Sequence, residues 1–280
     1  MILWDTILLR PYVFAFLLVY LIGCTTQFGL KRTLLFCVTG YLLAWISEFS
    51  SIHTGFPYGW YYYIEHTKGQ ELWVFGVPFM DSLSYVFLIY ASYSLAIFIL
   101  SPLTISNRLL YVLETRTIRK SWHATLLATV LFVYLDIIID PVALQGYRWF
   151  LGQIYGYQET GVYFGIPLSN FGGWFVVGFL MVALFQGIDH WLHQNRIKDF
   201  YLYPSWRFLI GPGLYFGIVL FNLFITFFIG EYLMGWAGIF IYVLSSFLLY
   251  TQTRMKLASS PPAEAFDDNR RDFPEARLLK

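Results

Sequence analysis

Four carboxylic acids stand inside otherwise apolar stretches of this sequence: Glu48, Asp81, Asp136 and Asp140. A carboxylate at the middle of a bilayer costs about 2.5–3.5 kcal/mol on insertion scales, and less near the interface. All four fall near the same end of their stretches, which points to a shared polar site. Asp136 and Asp140, in Leu135-Asp136-Ile137-Ile138-Ile139-Asp140-Pro141, lie on one helical face. Like charges that close disfavour joint ionisation, so one of the pair can keep its proton. A carboxyl that holds a proton in apolar surroundings is what a general acid needs. The structural alternative is a pair of acids bonded to Ser, Tyr or Trp donors on other spans. Glu48 shares a face with Ser47 and Ser51 and could equally be an inter-helix packing contact. Asp81 follows Gly76-Val77-Pro78 and could simply cap the helix that it opens. These four acids are the catalytic candidates.

The candidates for substrate contact are His53, Tyr58, Trp60, Tyr61, Asn170 and Trp174. His53 is close enough to Glu48 in sequence to assist it. Asn170 begins the fifth apolar span and could orient a water or a carboxyl, whereas Asn222 reads as a polar packing contact. His190 and His193 are three apart beside Trp191, a weak metal signal that fits an interfacial anchor better. Cys24 and Cys37 read as small buried apolar groups, so neither a disulfide nor a metal site is expected.

These residues need a membrane bundle to position them. Of the 280 residues, 58% are hydrophobic and only 12% charged, against about 25% charged in soluble domains. The net charge of +1 implies no nucleic-acid partner. A helix needs about 20 apolar residues to cross a bilayer. The spans expected are about 11–29, 33–52, 78–100, 122–144, 167–188, 207–229 and 232–252. The fold class is therefore all-α, a polytopic bundle of about seven transmembrane helices. Residues 1–256 form the bundle domain, and 257–280 form a polar, disordered cytoplasmic tail. The start, Met1 to Arg10, lacks a basic signal-peptide leader and reads as an interfacial stretch. All but Arg10, Lys68 and Arg148 of the 18 Lys and Arg residues fall in one set of alternate loops or the tail. That asymmetry puts the N-terminus outside, the C-terminus in the cytoplasm and the acids near the outer face.

The two long outer loops, 53–77 and 145–166, are rich in Tyr, Trp and Gly. They read either as an interfacial aromatic belt or as a lid over an apolar pocket. Gly76-Val77-Pro78-Phe79-Met80-Asp81 also matches Gly165-Ile166-Pro167-Leu168-Ser169-Asn170. Glu48 lies 28 residues before Gly76, and Asp136 lies 29 before Gly165. A parallel duplication of spans two–three and four–five, with a site at the repeat interface, explains both matches.

Four segments in order resemble the CruF-type carotenoid biosynthesis proteins. They are Trp45-Ile46-Ser47-Glu48, the run from His53 to Tyr61, Asp140-Pro141-Val142-Ala143, and the run from Tyr163 to Phe171. The resemblance covers about residues 40–175. It implies a membrane carotenoid hydratase that adds water across the terminal double bond of an acyclic end group. It implies no cofactor and carries over no catalytic residue. The substrate implied is a carotenoid drawn from the bilayer, from lycopene or gamma-carotene types to longer bacterioruberin precursors. Other carotenoid enzymes would be neighbours in a bacterial cytoplasmic membrane.

That reaction needs an acid to protonate the alkene and a base to orient water, with aromatic faces to stabilise the cation. Three other readings compete. An oxygen-dependent di-iron hydroxylase needs several His clusters, and this chain has 5 scattered histidines. A membrane prenyltransferase fits the spacing of Asp136 and Asp140 but needs basic diphosphate ligands. A carotenoid or lipid transporter fits seven spans, a repeat and buried acids.

Overall fold

The computed structural model of the chain describes residues 2–106, 108–200 and 206–274. Among them, seven helices are long and apolar enough to cross a membrane. These are α2 (Pro11–Phe28), α3 (Leu30–Thr54), α4 (Phe79–Leu100), α6 (Trp122–Leu144), α7 (Leu168–Gln194), α8 (Arg207–Phe228) and α9 (Tyr232–Ala258). A short helix, α1 (Ile2–Leu9), precedes them, α5 (Arg116–Arg119) sits between α4 and α6, and α10 (Ala263–Asp272) follows α9. The architecture is a mostly helical multi-pass bundle.

Local chemistry sets the helix boundaries. Pro11 occupies the first turn of α2, where its missing N–H costs nothing. Gly55 is left-handed (φ 76°) and ends α3, its N–H bonding Ser51 O at 2.9 Å. Ser121 Oγ caps α6 by accepting from Ala124 N at 3.1 Å. Pro141 lies inside α6, which continues past it to Leu144.

Helix α4 is the hub. In its most apolar window 83% of residues are buried, against 22% in α9, so α4 runs through the centre and α9 along the outside. It contacts α2, α3, α6 and α8. Small residues allow close approaches around it. A Cβ on Gly211 of α8 would lie 2.1 Å from Ser94 Oγ, and one on Gly23 of α2 would lie 2.6 Å from Ile210.

At one end of the bundle, the loops after α3 and α6 are short strands rather than loose belts. β1 (Tyr61–Tyr63) pairs antiparallel with β6 (Tyr155–Tyr157). β2 (Trp73–Val74) pairs with β3 (Val77–Pro78) through a two-residue turn at Phe75-Gly76. Phe75 and Gly76 have φ of 50° and 84°, and Phe164 and Gly165 have 48° and 89°. Two successive left-handed residues are the signature of a tight hairpin turn. The two sequence matches therefore make the same turn before α4 and before α7, as a duplication requires.

At the other end, β4 (Leu103–Ser106) and β5 (Leu109–Val112) form a hairpin above a buried ionic network. Arg119 pairs with Glu114 at 2.6 Å, and Arg32 with Asp189 and Asp199. The tail differs from expectation here. Instead of being disordered after Leu257, it forms α10 and returns to the bundle. Asn269 Nδ2 donates to Glu114 O at 2.7 Å, Asp272 accepts from Arg116 N, and the Phe273 ring lies 4.5 Å from the Arg119 guanidinium. Composition alone hides this docking, because polar groups and a cation–π contact carry it. Residues 275–280 of the tail lie outside the described residues.

Candidate active site

A cavity of about 130 Å³ lies between α2, α3, α4, α6, α7 and α8, under the β1–β6 ribbon. Three of the four acids line it: Glu48 from α3, Asp81 from α4 and Asp140 from α6. Asp136 does not, but it belongs to the same cluster. Asn170 Nδ2, from the first turn of α7, donates to Asp136 Oδ2 at 2.8 Å and to Asp140 Oδ2 at 2.7 Å. The second Asp136 oxygen, Oδ1, is buried with no hydrogen-bond partner among the described residues.

The ribbon supplies the donors. Tyr155 donates to Asp140 Oδ1 at 3.0 Å and Tyr157 to Asp140 Oδ2 at 2.9 Å. Tyr63 donates to Asp81 Oδ2 at 2.7 Å, and Tyr61 donates to Tyr63 at 3.4 Å. Ser82 donates to Glu48 Oε2. Burial, reinforced by the neighbouring carboxylates, holds the Tyr63, Tyr155 and Tyr157 phenols well above their ordinary range. They stay protonated and remain donors.

Donor count separates the acids. Asp140 accepts three hydrogen bonds, from two phenols and an amide, which fix the orientation of its carboxyl. Asp81 sits in the first turn of α4 and accepts one hydrogen bond, from Tyr63. Glu48 is 2% exposed, and its carboxyl is held by Ser82, a hydroxyl that can donate or accept.

Of the residues expected to contact substrate, Tyr58, Tyr61, Asn170 and Trp174 line the cavity, and His53 and Trp60 do not. His53 is exposed at the end of α3, with Nδ1 against Phe49 O at 2.7 Å and its ring on Phe49. His53 lies about one helical turn after Phe49 and shares its face, which points away from Glu48. Trp60 is half exposed and covers Gly55, where a Cβ would come within 2.8 Å of the indole nitrogen. Tyr58 is buried and bonds Ser47 Oγ at 2.9 Å. Trp174 stacks on Tyr85 with centroids 5.2 Å apart.

The sequence reading missed Tyr63, Tyr155, Tyr157, Ser82 and Tyr85. For the three ribbon tyrosines the signal was present in Tyr61-Tyr62-Tyr63 and Tyr155-Gly156-Tyr157, where tyrosines recur two residues apart. That period puts two tyrosines of each strand on one face.

The model of the family described as "Carotenoid biosynthesis protein" matches residues 7–245 of this chain, all seven long helices included except the end of the last. The chain belongs to this carotenoid biosynthesis family. Among curated relatives, the bisanhydrobacterioruberin hydratase of Haloarcula japonica is 29% identical over 154 residues. That match covers 54% of this chain and 44% of the relative, so the chain spans less than half of the hydratase's length. No solved structure matches the chain significantly. The family assignment connects the chain with carotenoid biosynthesis, and the relative's name is that of a hydratase.

Proposed function

We propose that the protein hydrates the terminal double bond of an acyclic carotenoid end group, giving a tertiary alcohol. The observation that carries this reading is the cavity itself. It is largely apolar, yet it presents Glu48, Asp81 and Asp140 together with phenol donors and the stacked rings of Tyr85 and Trp174.

Glu48 is the proposed proton donor. It delivers its proton to the less substituted alkene carbon, and the alkene's π electrons form the new C–H bond. A tertiary cation results at the other carbon. The faces of Trp174 and Tyr85 and the negative charge of Asp140 stabilise it. A water held against Asp140 attacks the cation and gives its surplus proton to that carboxylate. The net change at the site is one proton moved from Glu48 to Asp140, and its return resets the enzyme. Asn170 and the two ribbon phenols hold Asp140 in place throughout, and Asp136 supports Asn170 from behind.

The same geometry counts against a prenyltransferase. No Lys or Arg lines the cavity among the described residues, so it lacks the basic ligands that such an enzyme uses for the diphosphate. The Lys and Arg asymmetry of the loops supports an orientation with the site near the outer face of a cytoplasmic membrane.

Expression in a host that makes lycopene or gamma-carotene tests the reading. The expected product gains one water and carries label from heavy-oxygen water, under anaerobic as well as aerobic growth. Label taken from molecular oxygen, or unaltered pigment, rejects hydration.

A further inference from the structure

The cavity's walls differ in how they are closed. On the α3, α4 and α7 sides they are sealed by buried residues such as Tyr58, Met80, Tyr85 and Trp174. Between α2 and α8 the wall combines buried Val13, Ile218 and Asn222 with a set of half-buried rings. Tyr12 stacks on Phe221 with centroids 5.3 Å apart and planes inclined by 20°. Phe16 meets Phe221 edge-on at 5.7 Å. Trp149, from the loop after α6, lies 6.2 Å from Tyr12. All four rings line the cavity, and all four are only half-buried.

The same two helices meet differently at their other end. There, Gly23 of α2 lies so close to Ile210 of α8 that a Cβ would approach it to 2.6 Å. A contact of that kind brings the α2 backbone directly onto the Ile210 side chain and leaves no room between the two helices. A contact made by side-chain rings can open by rotamer changes, which cost far less than breaking a helix–helix interface. Just outside the rings, Leu18 of α2 and Leu220 and Phe224 of α8 are exposed, so the seam leads onto an apolar face.

We propose that the Tyr12–Phe16–Phe221 seam is a lateral portal through which a long isoprenoid chain passes from the bilayer into the cavity. The chain's end group reaches Glu48, Asp81 and Asp140, and the remainder of the chain stays threaded between α2 and α8 among the rings. This rests on the hydratase reading for the substrate class, but the path depends only on the seam. Rings that contact the chain next to its reacting end also set which end groups can follow it in, so Phe221 is a specificity-determining position.

The test places a blocking group at the seam. Phe221→Cys, in a protein whose half-buried Cys37 is Ala, is treated with either a methylthio-forming or a bulky apolar thiol reagent. Uptake of lycopene from liposomes is read as pigment retained on the purified protein, and water addition is read separately by mass. The bulky adduct is expected to slow uptake by about tenfold or more, as blocking a gate does, while the methylthio adduct leaves it fast. The two forms share one substitution, so a folding defect cannot separate them. The bulky adduct on Phe240→Cys, exposed on α9 and outside the cavity lining, is expected to have no effect. Equal uptake with both adducts at position 221 overturns the portal, as does an unblocked protein that takes up no lycopene. Pigment that enters through an unblocked seam but gains no water leaves the portal standing and removes the hydratase.

Discussion

Tyr61 and Tyr157 are register partners across the β1–β6 ribbon, and that pairing joins the two halves of the site. Tyr157 holds Asp140 of α6, and Tyr61 reaches Tyr63, which holds Asp81 of α4. The ribbon is therefore a clamp on acids from different helices as well as a roof. Tyr157→Phe keeps the ring and removes one donor from Asp140. Hydrogen bonds to charged groups contribute about 1.5–3 kcal/mol, so turnover is expected to fall roughly 10- to 100-fold. Tyr62→Phe, on the exposed face of the same strand, is the control and should match the parent. Equal turnover of the two variants would remove the clamp from the mechanism.

The acids are expected to rank by their access to the cavity. Glu48→Gln and Asp140→Asn each remove a proposed proton carrier and should lower turnover by about 10²–10⁴-fold, the usual range for general acid–base catalysis. Asp136→Asn keeps a group that can still bond Asn170 and lies off the cavity, so its loss should be much smaller. Amounts of protein in the membrane should be alike for all three. An Asp136→Asn variant as inactive as Asp140→Asn would show that the proton work has been assigned to the wrong members of the cluster.

The spans and the acids were legible because the bilayer leaves strong marks on a sequence. A run of about 20 apolar residues has few other meanings, and an acid inside one is conspicuous. Seven helices stand where hydropathy placed them, and of the four acids Glu48, Asp81 and Asp140 line one cavity while Asp136 lies outside its lining. The resemblance quoted from residues 40–175 proved to be the middle of a match running from 7 to 245. What stayed hidden was set by contacts distant in sequence. Tyr63 and Tyr155 are far apart in the chain, and nothing in either loop states that they pair. His53 misled because closeness in sequence to Glu48 is not closeness in direction on a helix. The α10 helix was invisible because its docking depends on Arg119, which a hydropathy reading counts only as a cytoplasmic charge.

Two neighbouring glycines in α7 give a sharp contrast. A Cβ on Gly173 would stand 2.5 Å from the Tyr58 ring and 2.7 Å from Pro57 O, whereas one on Gly172 meets nothing within 4 Å. Gly172→Ala should therefore stabilise the helix by up to about 1 kcal/mol through propensity alone. Gly173→Ala must push Tyr58 and the loop backbone off α7, next to Trp174 in the cavity wall. Bound pigment should fall several-fold for the second variant and not the first. Retention of pigment by Gly173→Ala at the parent level would mean that the loop is free to yield there.

Arg10 and Glu71 form an ion pair in which both side chains are fully buried, at 2.8 Å. Arg10 also donates to Leu151 O, and Thr67 donates to Glu71, so one guanidinium ties α2 to both of the loops that cover the cavity. Breaking such a pair by removing one partner leaves a buried charge uncompensated, which costs about 3–5 kcal/mol. Arg10→Met is expected to lower the melting temperature in detergent markedly and to loosen both loops over the cavity. In Arg10→Met with Glu71→Leu, neither charge remains, and much of that stability should return because a buried pair contributes little beyond its own desolvation cost. The lost contact to Leu151 is not replaced, so turnover in the double variant should stay below that of the parent. A double variant no more stable than Arg10→Met alone would show that the carbonyl contact, and not the ion pair, holds the roof on.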